Sequence, residues 1–169
     1  MTKGTKRLAR LAVLAALGVA FLFLGSTLPS ARLAVSALAG FFAAAALMMY
    51  GFGWAAGVYA VTAALALLIL PAKLCAILYA GFFGLYPLVK SFLESHLRAQ
   101  PLCWAAKLGV YTLVFFVWWL VTAGVGMPEG LLSRWYVLWP LGAAAFAVYD
   151  VCFSFLIKLY IQRISGYFQ

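Results

Sequence analysis

The chain has 169 residues, 68% of them apolar and only 9% charged, with a mean hydropathy of +1.10. An ordinary soluble domain carries about 25% charged residues, so this chain cannot cover a water-soluble globule and instead holds roughly six apolar helical spans, with no large extramembrane domain and no alternating strands of an outer-membrane barrel. Twelve Lys and Arg against Glu94, Glu129 and Asp150 give a net charge of +9, but the basic residues stand mostly at the ends of apolar runs, where they set orientation and meet anionic lipid rather than nucleic acid.

The first span runs over 11–28, behind the basic stretch Lys3, Lys6, Arg7 and Arg10. A positive segment before an apolar run is also the pattern of a signal peptide, with Ala37 and Ala39 as a loose cleavage site. The run is long for that role and further spans follow at once, so an uncleaved helix is expected. Pro29 ends it. The second span (31–50) and the third (54–70) meet at Gly51-Phe52-Gly53, a tight turn without charge, and Pro71 closes the third. The fourth, 73–95, contains Pro87, where a kink is expected. Glu94 to Pro101 forms the first polar linker. The fifth span covers 102–123, and residues 124–134, with Gly126, Pro128 and Gly130, make the longest loop. The sixth covers 135–161 and passes Pro140. The chain therefore reads as all-α: a polytopic six-transmembrane-helix bundle forming a single transmembrane domain over 1–169.

Orientation follows from the basic residues. With the N-terminus inside, Lys3, Lys6, Arg7, Arg10, Arg98, Lys107, Lys158 and Arg163 fall on the inner side, against Arg32, Lys73 and Arg134 outside. Lys90 lies within a span. Trp135, Tyr136 and Trp139 then form an outer aromatic anchor, and Tyr160, Tyr167 and Phe168 an inner one. Both termini are expected in the cytoplasm, with the chain in the plasma membrane of a bacterium.

Small residues recur every four positions in three spans: Ala12, Ala16 and Ala20 in the first, Ser36, Gly40 and Ala44 in the second, and Ala56, Ala60 and Ala64 in the third. That spacing keeps them on one helical face and lets another backbone approach closely. Such a face either packs within the bundle or docks a separate membrane subunit.

Asp150 lies deep in the sixth span, where an ionised group costs about 2.5–3.5 kcal/mol, so it should face protein and find a partner. Lys90 and Lys107 come from the fourth and fifth spans, with Glu94 one turn beyond Lys90. Tyr86, Lys90 and Glu94 share a face, as do Lys107 and Tyr111. A buried polar cluster of Asp150, Lys90, Glu94 and Lys107, with Tyr86 or Tyr149 beside it, is expected. It serves either as a fixed ion-pair lock or in substrate, proton or subunit coupling.

Catalytic chemistry is poorly supplied. His96 is the single histidine and has no neighbouring carboxylate pair or cysteine. Cys75, Cys103 and Cys152 form no C-x-x-C, so neither a redox pair nor a zinc site is encoded. No Gly-rich phosphate loop occurs. The chain reads as a non-enzyme without metal or cofactor.

With six short spans and the rows Ala12-Ala16-Ala20 and Ala56-Ala60-Ala64, the chain resembles the substrate-binding S-components of energy-coupling-factor transporters. The resemblance implies a six-helix fold, a transmembrane partner docked on spans one and three, and two cytoplasmic ATPases carried by that partner. It also implies a solute site in the outer half. The residues available there are Trp118, Trp119, Thr122, Trp135, Tyr136 and Trp139, which suit an aromatic or largely apolar small molecule. The stretches from Gly84 to Glu94 and from Tyr149 to Arg163 also look like uncharacterised multispanning proteins of Gram-positive bacteria, which implies that the Tyr-Pro-x-x-Lys element and Tyr149-Asp150 belong together. The rival class is a non-transporting scaffold of cell-envelope assembly, similar in build to the cell-shape membrane protein MreD, in which the charged inner cluster and linkers hold partner proteins.

Overall fold

The computed structural model describes residues 3–97, 100–124 and 135–164. Among them there is no strand, and six helical segments are long and apolar enough to cross a membrane. The protein is an all-α membrane protein. The remainder of the expected long loop, 125–134, and Tyr167 and Phe168 of the inner aromatic anchor lie outside the described residues.

Helix α1 (Lys3–Thr27) starts well before the apolar run. Lysine and arginine are good helix formers whose stems lie along apolar surface, so the helix includes the basic segment. Leu28 is extended, as the residue before a proline prefers, and a short turn at Pro29–Ala31 leads into α2 (Arg32–Tyr50). Gly51 alone joins α2 to α3 (Phe52–Ile69). Its φ of 87° is a conformation that side chains strain against, and its N–H donates to the Leu47 carbonyl. Gly53, the second glycine of the expected turn, is already helical. At the far end of α3, Leu70 is extended ahead of Pro71, and Lys73 Nζ donates to the Leu67 carbonyl at 2.6 Å.

The fourth span is broken rather than simply kinked. Helix α4 (Lys73–Leu78) passes into a π-helical turn, Tyr79–Phe83, and α5 (Tyr86–His96) resumes after Leu85. The deformation expected at Pro87 lies upstream of it, and Pro87 itself occupies the first turn of α5. A proline lacks an N–H and its ring crowds the carbonyl four residues earlier, so the chain deforms before the proline. The Gly84 N–H closes the wide turn onto the Tyr79 carbonyl at 2.8 Å, and the Tyr59 hydroxyl donates to the Ala80 carbonyl at 2.7 Å. Gly84 is needed for close approach: a Cβ there would lie 2.6 Å from the Tyr79 ring.

These elements form one compact unit, Met1–His96. Helix α2 is central to it, touching α1, α3, α4, the π turn and α5. Ala43, Ala44, Ala45 and Ala46 are all buried, so a whole turn of α2 is enclosed by protein. One apolar cluster gathers Leu22, Ala39, Ala66, Cys75 and Tyr79; a second gathers Leu11, Ala15, Ala46, Ala55 and Leu88. The second unit, Leu97–Gln169, is built from α6 (Gln100–Gly124) and α7 (Trp135–Ile164). The two run antiparallel: Phe116 meets Trp135 with ring centroids 6.4 Å apart, and further along Tyr111 stacks on Phe146 at 5.4 Å.

Candidate functional site

In the second unit, Lys107 Nζ lies 3.1 Å from Asp150 Oδ2, with both side chains almost fully enclosed (6% and 3% exposed). The helices bring them together because Lys107 and Tyr111 are four residues apart on α6, and Asp150 and Phe146 four apart on the antiparallel α7. The ion pair and the stacked rings are therefore successive rungs of one ladder. The Lys107 ammonium also lies 5.6 Å from the centre of the Trp104 ring. The Tyr111 hydroxyl donates to the Trp139 carbonyl at 3.2 Å, and Gly142 leaves it room, since a Cβ there would collide with that hydroxyl. Ser154 Oγ donates to the Asp150 backbone carbonyl at 2.7 Å. Two ionised groups in hydrocarbon cost several kcal/mol each unless paired and hydrogen-bonded, so the pairing is what makes either charge tolerable at this depth.

The other expected lysine lies in the first unit. Lys90 is buried, and its Nζ lies 3.2 Å from Oε1 of Glu94, one turn on along α5; Glu94 is half exposed. Tyr86, at the start of α5, is buried and stacks on Phe82 at 5.8 Å. Tyr149 packs against Phe153 within α7 at 5.6 Å. The structure thus joins Lys107 to Asp150 and Lys90 to Glu94. Tyr111, Phe146, Trp104 and Gly142 are further parts of the Lys107–Asp150 site. Of these, only Tyr111 shows in the sequence, through its four-residue spacing from Lys107; cross-helix partners carry no local signal.

The three small-residue rows have different fates. On α2, Ser36, Gly40 and Ala44 are all buried inside the first unit. On α1, Ala12, Ala16 and Ala20 are exposed; on α3, Ala60 and Ala64 are exposed and Ala56 half-buried. Between the first halves of α1 and α3 runs an apolar groove, with Ala12, Ala15 and Gly57 as its small lining residues. Ala15 and Gly57 lie outside the rows because a groove between helices is opened by a pair of edges, not by one face.

Among the outer aromatics, Trp135 and Tyr136 are exposed, while Trp118, Trp119 and Trp139 are half-buried. The Trp139 indole N–H is enclosed and has no hydrogen-bond acceptor among the described residues. The side chain of Thr122 is outside the described residues. His96 is exposed at the end of α5, with Nδ1 2.9 Å from the Phe92 carbonyl. No family model matches the chain, and no curated protein or solved structure matches it.

Proposed function

We propose that this protein is an integral subunit of a bacterial plasma membrane, with both termini cytoplasmic, that binds a small aromatic or largely apolar solute for uptake with an ATPase-bearing partner, as the S-components of energy-coupling-factor transporters do. The observation that supports this reading is the outward placement of Ala16, Ala20, Ala60 and Ala64. Identical spacing on α2 is consumed by internal packing, whereas α1 and α3 leave theirs uncovered. Lipid tails are as apolar as leucine, so a lipid-facing helix gains nothing from alanine there; a docked helix gains close backbone approach. No nucleotide-binding motif occurs in the chain, so the energy for uptake comes from the partner. Trp118, Trp119, Trp135, Tyr136 and Trp139 supply aromatic surface for the solute. The Lys107–Asp150 pair holds α6 to α7 beneath that surface.

Affinity purification from native membranes tests the proposal. An ATPase-containing complex should be recovered with the wild-type chain and lost with Ala16→Leu, whose exposed position leaves the isolated chain folded. Recovery of wall-synthesis or division proteins without any ATPase would overturn it and return the protein to the scaffold class.

A further inference from the structure

The α1/α3 groove has a volume of about 270 Å³, and its lining includes Leu8, Leu11 and Ala12 from α1 and Trp54, Gly57 and Val61 from α3. At one end of it, beside Trp54, stands Arg7. The guanidinium lies 5.6 Å from the centre of the Tyr50 ring and 5.7 Å from that of Trp54, so two rings hold it in place. Trp54 is thus at once a wall of the apolar groove and a platform for a fixed positive charge. Lys6 and Arg10 are exposed on the same turns of α1. No acidic residue occurs in the chain before Glu94, and the Glu94 carboxylate lies beside Lys90. The Tyr50 hydroxyl is enclosed and has no hydrogen-bond partner among the described residues.

An apolar slot continuous with a fixed cation is complementary to an anionic amphiphile. We propose that the α1/α3 groove holds an acyl chain of one anionic phospholipid, whose phosphate is bound by Arg7 with Lys6 and Arg10 adding charge. Arginine suits this task because its planar fork meets phosphate oxygens in pairs. A basic residue at a membrane surface strengthens attraction to anionic lipid by about fivefold. The groove shares Ala12 with the proposed docking rows and runs past Ala60, whereas Ala16, Ala20 and Ala64 lie beyond it along their helices, so lipid binding and partner capture are read separately. The lipid site depends only on the apolar lining and the aromatic-held guanidinium at one end.

Native mass spectrometry of the full chain, titrated with phosphatidylglycerol or with phosphatidylcholine of the same acyl chains, tests the site. One phosphatidylglycerol should bind at least about fivefold more tightly than phosphatidylcholine. Arg7→Ala should lower that preference by about fivefold, leaving what Lys6 and Arg10 add, and Arg7→Lys should lower it less, since the charge remains and the fork is lost. Gly57→Phe should lower binding of both lipids; Gly57 has no atom within 4 Å of an added Cβ, so the larger side chain extends into the groove without disturbing the core. Equal binding of the two lipids, or a preference that Arg7→Ala leaves undiminished, would overturn the proposal. So would a Gly57→Phe chain that binds both lipids normally but loses self-association, which would assign the groove to a second copy.

Discussion

Replacing Asp150 by asparagine should remove the carboxylate that neutralises the buried Lys107 ammonium. The carboxylate lies 3.1 Å from that ammonium, and the two side chains are only 3% and 6% exposed, so water does not readily replace the lost partner. Removing one member of such a pair typically costs about 3–5 kcal/mol, most of it the penalty of the remaining buried charge. Lys107→Met alone should cost a similar amount by removing the ammonium that neutralises the carboxylate. The double variant, Asp150→Asn with Lys107→Met, removes both charges and should regain a large part of the loss, giving a coupling well above the 0.3–0.5 kcal/mol within which independent sites add. The assay is thermal unfolding of the full chain in detergent, followed by tryptophan fluorescence. Five of the six tryptophans lie at or after residue 104, so the signal reports mainly on the second unit. Losses that simply sum in the double variant would refute the pairing as a stabilising unit.

Gly142→Ala places a Cβ against the Tyr111 hydroxyl and should break its bond to the Trp139 carbonyl, lowering second-unit stability by about 1–3 kcal/mol in the same assay. Gly84→Ala should push the Tyr79 ring out of the π turn at a cost of about 1–3 kcal/mol, read as a lower melting temperature by circular dichroism, since the residues around it are packed and buried. Reporter fusions at Gln100 and Gln169 should both read cytoplasmic, with one near Gly126 reading external; an external signal at Gln169 would contradict an even number of crossings.

The six apolar spans were legible because proline and glycine punctuate the runs. Pro29, Pro71 and Gly51 end helices where their backbone chemistry requires it. Pro87 was misleading in position, since the strain of a proline is relieved upstream, at a π turn that no residue type announces. Asp150 stood out because charge in hydrocarbon is costly, but its contact with Lys107 depends on how α6 meets α7, a tertiary fact. The inside or outside fate of the alanine rows was the least legible feature. In a soluble helix the polar face marks the outside, whereas here both faces are apolar and Ser36-Gly40-Ala44 reads much like Ala12-Ala16-Ala20. Only the packing around α2 separates them.

Docking of an ATPase-bearing partner on the exposed alanines is tested most directly by photocrosslinking in native membranes. A photoreactive amino acid is placed at position 16 or 60, on the outward faces, and at position 44, inside the first unit. Positions 16 and 60 should yield adducts to a membrane protein that copurifies with ATPase subunits, and position 44 should crosslink only within the chain. Adducts from 16 and 60 confined to lipid, or an ATPase-free scaffold protein captured at both, would contradict the account.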